Sequence, residues 1–81
     1  MNAFTYILLC SDDTFYTGWT VDLQKRLAVH NHGKGSRYTR CRLPVEIVYY
    51  ETFVCRKQAM AREYEIKKMT RVQKQNLIDR Q

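Results

Sequence analysis

Proline and glycine are scarce in this 81-residue chain: the sole proline is Pro44, and the glycines are Gly18, Gly33 and Gly35. That scarcity excludes a collagen-like or linker-rich chain, and the length leaves room for one folded unit, residues 1–81. Cysteine is equally sparse. Cys10, Cys41 and Cys55 are odd in number and contain no Cys-x-x-Cys pair, which argues against a disulfide framework. A zinc site drawn from His30, His32, Cys41 and Cys55 matches no standard spacing. No apolar run approaches the roughly 18 residues that a membrane span needs, and the first residues lack a signal-peptide pattern. A cytoplasmic chain with reduced thiols and no membrane contact is therefore expected. Acidic residues are also short: eight against fourteen Lys and Arg, a net charge of +6. On so small a surface that excess favours a polyanionic partner, nucleic acid first.

What is present points to a folded protein. Hydrophobic residues make up 44% and charged residues 27%, too apolar a balance for a disordered chain. A domain of this size buries only about 60% of the surface its unfolded form exposes, so the core must be economical.

The local patterns give an element order. Phe4 to Cys10 is short, apolar and aromatic, and predicts a buried strand. Ser11, Asp12 and Asp13 supply a turn, and Thr14 to Trp19 a second strand, hence a hairpin. Gly18 inside that run marks a bulge or a close approach to the backbone. Thr20 or Asp22 caps a helix reaching about His32, with Gly33 closing it. Gly33 to Leu43 is polar and predicts a loop with room for a helical turn. Pro44 opens a third strand, Val45 to Phe53. Arg56 to Met69 predicts a second helix. Thr70 and Gln73 form a capping box for a third, Arg71 to Asp79. The expected architecture is α/β (α+β): a small, three-stranded, mainly antiparallel sheet flanked by helices, in the order β-β-α-β-α-α.

Several residues fall where ordinary packing does not need them. On the second helix, with Ala59 as origin and Ile66, Met60 and Tyr64 marking an apolar arc, Glu63 falls inside the arc and Glu65 on the solvent side. A carboxylate on a buried face must be paired or bound to a metal, so Glu63 is either a structural ion pair or a site residue. On the first helix, Arg26 and His30 are i, i+4 neighbours beside the Leu23–Leu27 stripe, and Lys25 faces water. An arginine fork held at a sheet surface suits a phosphate; a snorkelling Arg and a satisfied core His are the plainer alternative. Tyr6 and Tyr16 share a sheet face with Gly18 only if the hairpin pairs even positions with even. From Leu23 to Val45 the chain carries six basic residues and no acidic one. Lys34, Arg37, Arg40 and Arg42 of that run, with Tyr38 among them, form a candidate nucleic-acid surface. Tyr38 could stack on a base or pack against Pro44.

The ordered set resembles the GIY-YIG nuclease superfamily across nearly the whole chain. Its first motif corresponds to Phe4-Thr5-Tyr6, keeping the tyrosine. Its second corresponds to Tyr16-Thr17-Gly18, with Thr in place of Ile. The stretches LQKRLAVHNHGKGSRYTR and AREYEIKKMTR look like the small stand-alone bacterial branch, which is related to the catalytic subunit of structure-specific endonucleases. The resemblance implies a metal-dependent endonuclease acting on DNA, in repair or in processing of branched structures. RNA stays open as a substrate, and a protein partner could supply targeting. By position it implies Tyr16 as general base or nucleophile-positioning group, Tyr6 as its support, Arg26 on the scissile phosphate and His30 arranging the site. Glu63 then corresponds to the ligand of a single Mg2+ or Mn2+. The family's late asparagine has a poor match in Asn76, which is not assigned. Two rivals stand beside this reading: a nucleic-acid-binding module without useful catalysis, and a subunit that needs a partner for activity.

Overall fold

The computed structural model describes residues 2–80. Its elements are β1 (Ala3–Leu9), β2 (Phe15–Thr20), α1 (Leu23–Asn31), α2 (Arg37–Arg40), β3 (Glu46–Phe53), α3 (Arg56–Lys67) and α4 (Arg71–Asp79). The predicted order holds, with α2 added as the helical turn inside the polar loop. Ser36 caps α2 by accepting from the Thr39 N–H, as Ser does at helix starts.

The sheet is antiparallel with strand order β2-β1-β3. Central β1 is covered on both faces, and Thr5, Tyr6, Ile7 and Leu8 are all buried. Its even side chains, Tyr6 and Leu8, pack with Val45 and with Leu23 and Leu27 of α1. On the odd face, the Thr5 hydroxyl donates to the Ala59 carbonyl of α3 at 2.7 Å. Helices thus lie on opposite faces of three strands.

The hairpin register settles the alternative left open by its turn. Tyr6 pairs with Gly18 and Leu8 with Tyr16, so both tyrosines and the glycine share the α1 face. Against β3 the register shifts between Ile7 and Leu8, with Ile7 opposite Tyr49 and Leu8 opposite Ile47. Val48 is the extra residue. It lets Ile47 join the core with Leu8 while Tyr49 pairs with Ile7.

The helix caps follow the sequence. Asp22, rather than Thr20, caps α1 by accepting from the Lys25 N–H. Gly33 lies just beyond α1 at φ +78, the left-handed conformation that favours glycine. Thr70 and Gln73 form a complete capping box on α4. The buried arc of α3 is narrower than its periodicity suggests. Ala59 and Ile66 are buried, but Met60 and Tyr64 are exposed. The arc's other border is Arg62, which forks onto the Glu51 carboxylate at 3.0 Å with each of Nε and Nη2. Among the described residues no helix is long and apolar enough to cross a membrane.

Candidate active site

His30 is the pivot of the α1 face. It sits one turn beyond Arg26 and is fully buried. Its Nε2 meets the Tyr6 hydroxyl at 3.0 Å, and its Nδ1 meets the Thr39 hydroxyl of α2 at 2.9 Å. Burial, reinforced by the positive charge of Arg26, lowers its pKa to about 4. The imidazole is therefore neutral at physiological pH.

Glycines make this packing possible. A Cβ at Gly18 would lie 2.5 Å from the Tyr6 hydroxyl oxygen. What approaches the backbone at that position is thus the Tyr6 phenol, and the β1–β2 ladder has no bulge there. A Cβ at Gly35 would overlap the His30 ring.

The tyrosine pair surrounds the imidazole. Tyr6 meets it edge-on with ring centroids 6.1 Å apart, and Tyr16 does so at 5.3 Å. Tyr6 is buried and Tyr16 half-buried. Burial pushes the Tyr6 pKa upward, and Tyr16 and Glu63 add to the rise; the Arg26 guanidinium opposes it by hydrogen bond and charge. Tyr16, Arg26 and Glu63 are thus each close enough to act electrostatically on Tyr6. Arg26 also donates from Nη2 to the Gly35 carbonyl at 3.0 Å, which ties the polar loop to α1.

Glu63 lies at the rim of this cluster. Its side chain is 22% exposed, and its nearest counter-ion is Lys67 at 3.7 Å, one turn along the helix. Glu65 is 66% exposed, on the solvent side as expected. Among the described residues no three His, Cys, Asp or Glu side chains converge; His30, moreover, is buried while Cys41 and Cys55 are exposed. A lone, accessible carboxylate fits an ion that keeps most of its water shell, as Mg2+ does, better than one that needs a protein cage. Glu63 is the residue that would hold such an ion.

The basic loop divides in two. Lys34, Arg37 and Arg40 are exposed. Arg42 is committed: its Nε pairs with Asp12 at 2.9 Å, its Nη1 donates to the Tyr38 carbonyl at 2.7 Å, and its guanidinium lies 4.0 Å from the Tyr38 ring centroid. Tyr38 in turn stacks on Tyr16 with centroids 6.0 Å apart. Its partner is a site tyrosine.

The substituted motif positions lie off the cluster. Thr5 faces α3, and Phe4 packs edge-on against Tyr50. Thr17 is buried, and its hydroxyl oxygen has no hydrogen-bond partner. Asn76 lies on α4, with an exposed side chain.

Sequence reasoning did not single out Ser36 or Thr39, and it read Asp12 only as a turn residue and Gly35 only as part of the polar loop. Ser36-x-x-Thr39 was legible as a helix cap, but which imidazole Thr39 would meet was not.

A β-hairpin and third strand that set two tyrosines against an Arg and His of one helix and a Glu of another define a small catalytic domain of the GIY-YIG class. The chain belongs to that family: the family model for the GIY-YIG catalytic domain matches residues 2–76. Within it the chain is similar to the small UPF0213 proteins. It is 53% identical over 75 residues to one from Clostridium perfringens, covering 93% of this chain and 81% of that protein. It is 56% identical over 73 residues to one from Streptococcus pyogenes, covering 89% and 79%. The solution NMR structure of a UPF0213 protein from Bacillus halodurans matches with a TM-score of 0.62 at 42% identity, covering 98% of this chain and 84% of that one. An E. faecalis protein solved by the same method matches with a TM-score of 0.65 at 38% identity, with the same coverage. Family membership supports a nuclease-type function, and a nuclease domain implies a nucleic-acid substrate.

Proposed function

We propose that this protein is a divalent-metal-dependent endonuclease that hydrolyses DNA phosphodiester bonds, working in repair or in processing of branched structures. The observation that carries the reading is the grouping of Tyr16 and Arg26 with the buried Tyr6–His30 pair, with Glu63 close enough for its charge to act on Tyr6.

Arg26 binds the scissile phosphate. One of its nitrogens is held by the Gly35 carbonyl, which fixes the fork and leaves further N–H donors for phosphate oxygens. Tyr16 positions the attacking water, its hydroxyl oxygen accepting a hydrogen bond from it. Its ring is confined between His30 and Tyr38, so its hydroxyl needs no reorganisation during the reaction. Tyr6 stays a protonated phenol, because burial raises its pKa, and serves as Tyr16's support. His30 stays neutral and orients Tyr6. Glu63 holds one Mg2+ or Mn2+, which when bound supplies positive charge for the phosphate oxygens. Lys34, Arg37 and Arg40 neutralise flanking phosphates. Arg42 keeps Tyr38 on Tyr16, so its contribution to binding is indirect.

The test is cleavage of labelled single-strand, duplex, nicked, flap and four-way-junction DNA, with matched RNA, in Mg2+ or Mn2+. Wild type is expected to cut, chelation by EDTA to abolish cutting, and Arg26→Ala and Glu63→Ala each to slow it by at least about 100-fold with folding intact. Binding without cleavage under every condition would replace this reading with that of a binding module. Cleavage only after addition of a cell fraction would favour the partner-dependent subunit.

A further inference from the structure

The buried hydroxyl of Thr39 is not part of the tyrosine–arginine–glutamate set, yet it is the only side chain in hydrogen-bond contact with the far side of the His30 ring among the described residues. We propose that Thr39 is a positioning residue for the nuclease reaction: by accepting from Nδ1–H it fixes the His30 tautomer that leaves Nε2 bare to hold the Tyr6 hydroxyl.

The direction of each proton follows from the donors. Arg26, whose guanidinium acts on Tyr6, is a donor only and cannot accept the Tyr6 hydrogen. Tyr6 is 2% exposed, so its own proton needs a protein acceptor, and the His30 Nε2 at 3.0 Å is the one in place. Nε2 must then be unprotonated and Nδ1 must carry the hydrogen. Thr39 Oγ1 at 2.9 Å accepts it. The Thr39 hydroxyl keeps its own hydrogen for Ser36, which offers its hydroxyl oxygen at 2.9 Å and its carbonyl at 3.5 Å. The run Tyr6–His30–Thr39 is therefore satisfied by one imidazole tautomer, with Nε2 bare and the hydrogen on Nδ1.

The same short helix holds the second tyrosine. Tyr38, next to Thr39, stacks on Tyr16, while Thr39 reaches Tyr6 through the imidazole. The glycine at position 35 lets the chain pass close enough to the ring for this contact. One helical turn thereby sets the orientation of both phenols, and it also carries the exposed Arg37 and Arg40.

The activity arm of this inference rests on the nuclease reading; its spectroscopic arm does not. Nitrogen-15 NMR of the His30 imidazole in the full chain is expected to report a single neutral tautomer with the hydrogen on Nδ1. Thr39→Val, which keeps the shape and removes the hydroxyl, should shift that population toward Nε2–H. It should lower kcat by about 10-fold or more while DNA affinity changes by less than about 2-fold. Thr39→Ser should restore both tautomer and kcat. If Thr39→Val fails to fold, Ser36→Ala serves instead and should blur the tautomer in the same direction. A wild-type imidazole protonated on Nε2 would overturn the proposal, as would a Thr39→Val protein with unchanged tautomer and kcat. An inactive wild type with the expected tautomer shift would sink the nuclease reading while leaving the proton order intact.

Discussion

Two positions of the second motif act in opposite ways on stability. At Gly18 an added methyl would sit 2.5 Å from the Tyr6 hydroxyl oxygen and 2.8 Å from its ring carbon Cζ. Gly18→Ala must therefore push the phenol off His30. Overpacking of this kind costs about 1–3 kcal/mol, and displacing Tyr6 should also abolish cleavage. A denaturant melt and the junction assay check the two effects together. At Thr17 the hydroxyl is buried with no partner, which is a desolvation cost with nothing returned. Thr17→Val keeps the branched shape and removes that group. It should raise stability by about 1 kcal/mol, read from the denaturant midpoint, with cleavage unchanged. The special role of Gly18 was legible in the sequence, because glycine inside a strand signals close approach. The orphan at Thr17 was not, because its face is set by strand pairing.

At the scale of elements, His30 joins α1 to β1 through Tyr6 and to α2 through Thr39. Protonation would break that junction, since a charged imidazole has a hydrogen on both nitrogens and no acceptor left for Tyr6. The folded state holds its pKa near 4, below the ordinary value of 6.5. Between those values the unfolded chain binds the proton and the folded chain does not. Stability from this group is therefore complete above about pH 6.5 and is lost as pH falls toward 4, by about 3 kcal/mol in all. Urea melts near neutral pH and at about pH 5 should show the slope, and His30→Gln should lack its share of it. The orientation of α1 was readable from periodicity: His30 and Arg26 face the sheet and Lys25 faces water. α3 was readable only in part. Ala59, Glu63 and Ile66 lie where the angles put them, but Met60 and Tyr64 are exposed because Arg62, pinned by Glu51 of β3, turns the helix's other border inward.

Across the whole molecule the +6 charge is unevenly used. Arg42 and Arg62 are tied into ion pairs with Asp12 and Glu51, whereas Lys34, Arg37 and Arg40 are exposed on the loop beside the tyrosines. Duplex affinity should fall steeply with salt, with a log–log slope of about −0.9 for each phosphate neutralised. Lys34→Ala or Arg37→Ala should each reduce the slope by about 1, and Arg42→Ala should change it less while loosening Tyr38. Fluorescence anisotropy with a labelled junction across a KCl series measures all three.

The order of strands and helices, their caps and the two motif segments were set by local chemistry, so the linear sequence alone determined them. Turn residues, apolar periodicity and capping side chains act over a few positions and carry their meaning wherever the chain goes. The tyrosine register, the β3 bulge at Val48 and the meeting of Thr39 with His30 depend on which strands pair and how far a loop folds back. Those contacts join residues distant in sequence through side chains that any strand or loop could carry. Only the packed sheet, with glycines at 18 and 35 clearing the space, decided that Tyr6, His30 and Thr39 share one line of hydrogen bonds.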